Sequence, residues 1–432
     1  MTDTVPAADA ATNESPHFDS FGYTLKALGP GLITGAADDD PSGIATYSQV
    51  GAQYGYAMGW TMLFSYPLMV ATQEIAARIG STTGHGIATN LRRHYPRWIL
   101  NVVVLALLVA NVLNLGADVA AMGDAVRMLV GGSTQVWILA VALLSLTAEI
   151  FLSYSRYAAI LKWLTLSLFA YVATVMVAHV DWAAALRGAT IPTLSFNGPS
   201  MTALVAVLGT TISPYLFFWQ SSQEVEELAR KHRKPLCIAP RAAGRELKRI
   251  RIDTLVGMGY SNVIALFIMM ATAATLFAHG VHTINTSTDA AKALAPFAGR
   301  FASTVFAIGI IGTGLLAVPV FAGTAGYAVC ETFRWNEGLD RKLNTARAFY
   351  AVIVGSTLLG VALAFSPIPP MKALYWSAVV NGVLAGPLMV VMLLIASNKR
   401  IMGALTISWR LQTVGWIAAL AMMGAAVGLF VT

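Results

Sequence analysis

Charged residues are scarce in this sequence. Of its 432 residues 11% are Asp, Glu, Lys or Arg, while 56% are hydrophobic, and the mean hydropathy is +0.65. A soluble domain carries about 25% charged residues. Water is therefore the wrong solvent for most of this chain, and the composition reads as a polytopic membrane protein whose main partner is the lipid bilayer. Cysteine is also nearly missing. Two residues, Cys237 and Cys330, exclude a disulfide framework or a thiolate metal cluster. Residues 1–24 lack the basic region and apolar core of a secretory signal and read as a disordered cytoplasmic tail. No nucleophile–base pair or phosphate-binding glycine loop stands out, so no enzyme is read and no resident cofactor is expected. The net charge of +7 would suggest nucleic acid for a soluble protein. Here it is assigned to cytoplasmic loops, with no nucleic-acid partner and no obligate protein partner evident.

What is present is a series of long apolar runs. An all-α fold with about eleven transmembrane helices is expected: roughly 27–54, 57–79, 98–126, 134–154, 157–180, 199–232, 252–279, 297–330, 346–366, 370–397 and 411–431. The basic residues orient them. With the N-terminus in the cytoplasm, only Arg127, Arg187, Lys292, Arg300 and Lys372 of the 28 lysines and arginines fall outside. This bias predicts a multi-pass protein of the inner (plasma) membrane, N-terminus inside and C-terminus outside. The run 224–251, EVEELARKHRKPLCIAPRAAGRELKRIR, reads as a solvated linker held by anionic lipid. The aromatic run YLFFW at 215–219 reads as packing against protein or lipid, and Glu74 and Glu149 as partners in helix–helix pairs.

Two runs are interrupted. The first contains ADDDPSGIAT at 37–46, the sixth GTTISPYLFFW at 209–219. Each has a mid-span proline, Pro41 and Pro214, among small, hydroxylic or acidic residues. Proline removes a backbone donor and clashes with the preceding turn, and Gly43 makes unwinding easier. Unwound backbone at membrane depth is tolerated only where it is buried in protein or lines a cavity. The first and sixth spans open two sets of five, and an odd number per set gives the halves opposite topology. Broken helices at such corresponding positions point to a midplane site in an inverted-repeat transporter. That divides the chain into a transport core, 25–400, and an added eleventh helix within 401–432.

The three consecutive acids need compensation at membrane depth. Asp40, beside Pro41, is the best direct ligand. Asp39 and Asp38 could support it, hold a hydrated ion or line a water-filled mouth. The sixth span adds Thr210, Thr211, Ser213 and Tyr215. Carboxylate, hydroxyl and freed carbonyl oxygens suit Mg²⁺, Ca²⁺ or Mn²⁺, and neither break contains Cys, His or Met.

The stretches GPGLITGAADDDPSG, QEIAARIGSTTGHGIA (73–88), LGADVAAMG (115–123) and RIDT (251–254) occur in the order of the corresponding NRAMP motifs. The chain resembles that family of divalent-metal transporters over 27–400. The resemblance implies a five-plus-five inverted repeat, alternating access and a metal site at helices 1 and 6. Carried over residue by residue, the family's Asp-Pro-Gly-Asn becomes Asp40-Pro41-Ser42-Gly43, so Gly43 occupies the position of a metal-binding Asn. Its Ala-Thr-Val-Met-Pro-His becomes Thr210-Thr211-Ile212-Ser213-Pro214-Tyr215, in which Thr210 keeps the backbone carbonyl and Ser213 replaces the thioether. Asn381 lies near the position of a polar residue that faces the ion. The expected metal set is thus Asp40, Gly43, Thr210, Ser213, Asp39 and Asn381.

Other departures concern protons. Asp118 is kept, but Ala121 replaces its partner Glu, Tyr215 replaces the proton-linked His, and FYAVIVGSTLLGVALAFSP has no arginine pair. This pattern is similar to the NRAMP-related magnesium transporters. It implies uptake of Mg²⁺ (and Mn²⁺) as transported ion without proton coupling. The alternatives are a proton-coupled Mn²⁺/Fe²⁺ symporter, or an organic-solute symporter driven by Na⁺, which the three acids oppose.

Overall fold

The computed structural model describes residues 30–151 and 164–432. The expected tail 1–24 and the start of the fifth span lie outside the described residues. Among the described residues the regular structure is helical, without strands. The chain runs through α1 (Pro30–Asp38), α2 (Pro41–Tyr54), α3 (Trp60–Thr83), α4 (Ile87–His94), α5 (Arg97–Val130) and α6 (Thr134–Phe151). After a short 3-10 turn come α7 (Phe169–Val177) and α8 (Trp182–Thr190). The second half holds α9 (Gly198–Thr211), α10 (Pro214–Arg230), α11 (Ala243–Thr275), the short α12 (Ser287–Ala291) and α13 (Ala295–Ala298), and α14 (Ala302–Phe333). It ends with α15 (Arg347–Ala364), α16 (Pro370–Ser397), α17 (Lys399–Met402) and α18 (Trp409–Val431).

Every expected span has a helical counterpart. Eight stretches among the described residues are long and apolar enough to cross a membrane. The others have physical reasons to fall short. The first span is cut into α1 and α2, α3 carries Thr72, Gln73, Glu74 and Arg78 along its inner half, and the fifth is described only from residue 164.

The packing repeats itself between the halves. The first broken pair, α1 and α2, lies against α11, and the second, α9 and α10, lies against α3. Likewise α5 packs on α6 as α14 packs on α15, and α7 packs on α11 as α16 packs on α3. Two glycine crossings fix the broken helices closely. A Cβ on Gly35 of α1 would stand 2.2 Å from the Gly257 carbonyl of α11, and one on Gly209 of α9 would stand 2.1 Å from the Ala378 carbonyl of α16. Any side chain there would push a half-helix off its support. The added helix α18 rests on α16, α3 and α9.

Both breaks follow from one local rule. A residue before proline is pushed out of the helical region, and proline itself suits the first turn of a new helix. Asp40 sits at φ −69°, ψ 171° and Ser213 at φ −77°, ψ 129°, both extended, with Pro41 and Pro214 opening α2 and α10. Proline alone is not sufficient: Pro67, Pro319 and Pro387 lie inside α3, α14 and α16, which continue through them. At the first break Asp40 supplies the missing cap. Gly43 is not itself unwound, as its sequence suggested, but lies in the first turn of α2.

Candidate metal site

The two interruptions face each other. Asp40 Oδ1 accepts from the Gly43 backbone N–H at 2.7 Å and from the Ser42 hydroxyl at 2.8 Å. Its Oδ2 accepts from the Tyr215 hydroxyl at 3.1 Å, which joins the first break directly to the second. Thr210, in the last turn of α9, lies opposite Gly43. A Cβ at Gly43 would stand 3.2 Å from Thr210 Oγ1 and 3.3 Å from the Tyr47 ring. The Thr210 hydroxyl has no hydrogen bond of regular geometry. Glycine at 43 therefore keeps the space between the breaks open.

Asp38 and Asp39 share one donor. The Ser261 hydroxyl of α11 lies 2.7 Å from Asp38 Oδ2 and 3.0 Å from Asp39 Oδ1. Among the described residues the second oxygen of each has no hydrogen-bond partner. All three acids are at most 1% exposed, so they do not line an open, solvated mouth. Among the described residues none of them pairs with a lysine or arginine. Among the described residues neither oxygen of Asp118, on α5, has a hydrogen-bond partner. An uncompensated buried carboxylate costs several kcal/mol. The helix ends there are of both signs: α1 and α9 end at the breaks and offer carbonyl oxygens, while α2 and α10 begin there with their positive N-termini. The arrangement is suited to a cation.

The remaining expected ligands are placed differently. Ser213 Oγ turns back on its own chain, 2.9 Å from the Gly209 carbonyl and 3.0 Å from the Thr210 carbonyl. It shapes the end of α9 and holds a carbonyl that the site would use. Asn381 makes a reciprocal amide pair with Asn114, at 2.9 and 3.1 Å, tying α16 to α5. Among the described residues no three carboxylate, imidazole or thiol groups converge on one point, so further ligands come from other donors: hydroxyls, carbonyls, water or a thioether. Ser261, Asn114 and Tyr47 were not singled out by sequence reasoning. Their signal was the same for each: a polar side chain in an otherwise apolar run.

One thioether approaches from another helix. A Cβ at Gly314 would meet Met122 Sδ at 2.7 Å and Pro41 Cγ at 3.2 Å, so Met122 of α5 stands beside the first break. It lies one turn beyond Asp118, on the same face.

Both ends of the site are braced. At one end the Gly31 N–H donates to Asp253 Oδ2 at 2.8 Å and the Thr34 hydroxyl to Gln220 Oε1 at 2.5 Å, fastening α1 to α11 and α10. Arg249 binds Glu224 at 2.5 Å and Glu246 at 2.6 Å, and lies 3.6 Å from Asp253. These groups are buried, so the ends of the run 224–251 differ from the solvated linker expected, while its middle, 229–245, is largely exposed. At the other end Gln49 accepts from the Ile284 N–H at 2.9 Å and donates to the His282 carbonyl at 3.2 Å. A cavity of about 330 Å³ opens there and reaches Ala45, about one turn from Asp40.

The sequence profile described as "Nramp: Natural resistance-associated macrophage protein-like" matches residues 31–432. The chain belongs to the Nramp family. It is 26% identical over 395 residues to the "Divalent metal cation transporter MntH" of Caldanaerobacter subterraneus, covering 88% of this chain and 86% of that one. It is 27% identical over 408 residues to a Klebsiella pneumoniae protein of the same name, covering 91% and 90%. The fold is similar to that of a manganese transporter of Eremococcus coleocola, with TM-score 0.76, 16% identity, and 97% and 89% of the two chains covered. Mhp1 in its inward-facing conformation shares the fold more distantly, with TM-score 0.51, 14% identity, and 93% and 90% covered. These Nramp relatives are transporters, and the chain is not an enzyme.

Proposed function

We propose that this Nramp protein, a membrane transporter of divalent metal cations, takes up Mg²⁺ (and Mn²⁺) by alternating access and without proton coupling. The observation that carries this reading is the donor chemistry of the breaks. Asp40, Thr210, Tyr215 and the Asp38–Asp39–Ser261 group offer oxygen alone, with buried carboxylates that pair with no basic side chain among the described residues. Mg²⁺ takes oxygen ligands and sheds water reluctantly. Gly43 and Ser213, where the family has larger ligands, leave room for an ion that keeps part of its hydration. Asp40 and the Thr210 carbonyl are the direct ligands. Asp39 raises the negative potential beside them, Ser213 holds the carbonyl in place, and Asn381 acts through Asn114 on the position of α16.

Access alternates around this fixed point. The ion enters through the 330 Å³ cavity that ends at Ala45. It leaves when α1 comes away from Asp253 and Gln220. A dication moving into a negative interior gains about 2.3 kcal/mol per charge for each 100 mV, so the potential alone can drive uptake. Uptake of Mg²⁺ and Mn²⁺ into proteoliposomes containing a pH dye tests this. Internal pH is expected to stay constant during uptake, and metal-driven acidification would overturn the uncoupled mechanism.

A second reading has two observations in its favour: Asp118 with both oxygens unpartnered, and Met122 beside Pro41. Together they would serve a proton-coupled Mn²⁺ or Fe²⁺ transporter whose thioether comes from α5. Met122→Leu separates the two. On the first reading Mg²⁺ uptake stays within about threefold of wild type, whereas on the second Mn²⁺ uptake falls by about tenfold or more, the loss of one direct ligand.

A further inference from the structure

A separate cavity of about 350 Å³ lies between α3, α11 and α18, away from the helix breaks. Three arginines reach it: Arg78 from the last turns of α3, Arg251 from the third turn of α11 and Arg410 from the first turn of α18. All three belong to the end of the bundle that the charge bias assigns to the cytoplasm. Arg78 is committed to Glu74 at 2.5 Å. Arg251 and Arg410 are exposed and form no ion pair among the described residues. The Arg410 guanidinium lies 5.6 Å from the Trp409 ring. The cavity thus has three guanidinium groups against one carboxylate. Ser408, which caps α18, lines the same end, so the positive N-terminus of a 23-residue helix also faces it.

One or two turns along the same helix faces the lining is apolar, with Val70, Leu255 and Val414. Around it, Leu63, Phe64, Val256 and Ile417 are exposed, as is expected of helices that face hydrocarbon. A basic end that continues into an apolar groove on a lipid-facing surface matches one kind of molecule. Phosphate is well recognised by the planar guanidinium fork, and basic pockets between transmembrane helices hold acidic headgroups.

We propose that this groove is a binding site for an anionic phospholipid of the adjoining leaflet, with its phosphate on Arg251 and Arg410 and an acyl chain along Val70, Leu255 and Val414. The site requires only that the protein be in a membrane and does not depend on which ion is carried. Through α18 and α3 the lipid would brace the added helix against the core.

The test uses the full-length protein in detergent, titrated with dioctanoyl-phosphatidylglycerol, dioctanoyl-phosphatidylcholine or inorganic phosphate, and read by native mass spectrometry and thermal shift. Phosphatidylglycerol is expected to bind and raise the Tm at concentrations where the other two do neither. The pair Arg251→Gln/Arg410→Gln is expected to weaken phosphatidylglycerol binding at least tenfold. The pair Arg241→Gln/Arg245→Gln, exposed on the same face but outside the cavity, should leave it unchanged. If the first pair does not fold, Arg251→Lys/Arg410→Lys keeps the charge without the fork and should still weaken binding severalfold. Unaltered binding by the cavity variants, or equal loss in the control pair, overturns the site. Equal stabilisation by phosphatidylcholine would mean a purely apolar groove, and equal binding of inorganic phosphate a free-anion site; either result also overturns the proposal.

Discussion

Asp40→Asn separates the two roles of the residue at the first break. As an N-cap, Asp40 accepts from the Gly43 N–H and the Ser42 hydroxyl. Asparagine caps as well as aspartate, so the break and α2 should persist with a stability change below about 1 kcal/mol. As an ion ligand, Asp40 contributes a charge that asparagine lacks. Two unit charges about 4 Å apart interact by about 4 kcal/mol at an effective dielectric of 20, and a dication doubles this to about 8 kcal/mol. Desolvation of the ion offsets much of that. A remaining loss of about 3 kcal/mol corresponds to more than a hundredfold in affinity. The assay is Mg²⁺ and Mn²⁺ uptake into proteoliposomes beside a thermal melt of the same preparation. The expected result is a wild-type melt with near-complete loss of uptake at micromolar metal. Uptake within threefold of wild type, with normal folding, would refute the placement of the ion at Asp40.

Ser213→Met removes the hydroxyl that holds the Gly209 and Thr210 carbonyls and brings sulfur to the second break. Competition uptake should show Cd²⁺ transport gained and Mg²⁺ selection weakened. Arg249→Ala leaves Glu224, Glu246 and Asp253 without their shared cation, and a thermal or denaturant melt should show a loss of about 3–5 kcal/mol. In the loop after α14, the Glu337 carboxyl is pushed up to about 9 by burial and then by the carboxylates of Glu331 and Glu226. The unfolded chain releases that proton near 4.5, so the folded state binds more protons between these values and stability falls as pH rises through the window. Melts from pH 5 to 9 should show this decline, and Glu337→Gln should reduce its slope.

The helix breaks were legible because they depend on adjacent residues. Asp-Pro and Ser-Pro steps restrict the backbone wherever they occur, and the acid beside the first supplies the cap. The helices were legible from apolar length, although α3 shows how an inner face of Thr72, Gln73 and Glu74 dilutes that signal. Glu74 was expected to pair between helices, but its partner is Arg78, one turn along the same helix α3. Glu149 is different: it is buried with neither oxygen partnered, and no helix–helix pair is seen for it among the described residues. The buried aromatics of 215–219 agree with the packing role read for YLFFW.

What remained illegible depends on contacts between distant positions. Ser261 bonds Asp38 across 223 residues, and Asn381 bonds Asn114 across 267. No local pattern reveals that Asn381 is held by another amide. Nor does it show that the Ser213 hydroxyl points back along α9, since a hydroxyl after a helix end can face either way. The two ends of the run 224–251 misled for a related reason, while its middle is largely exposed as read. Its charges suggest solvent, yet Arg249 pairs with Glu224 and Glu246 inside the protein and fastens α10 to α11.

The most direct measurement is an anomalous-scattering map of the protein crystallised with Mn²⁺, standing in for Mg²⁺, on wild type and Asp40→Asn. Wild type should show one strong peak between the two breaks, about 2.0–2.2 Å from an Asp40 carboxylate oxygen and from the Thr210 carbonyl. The variant should lose it. A peak elsewhere in the bundle, or one that survives in the variant, would contradict an ion site built where the two broken helices meet.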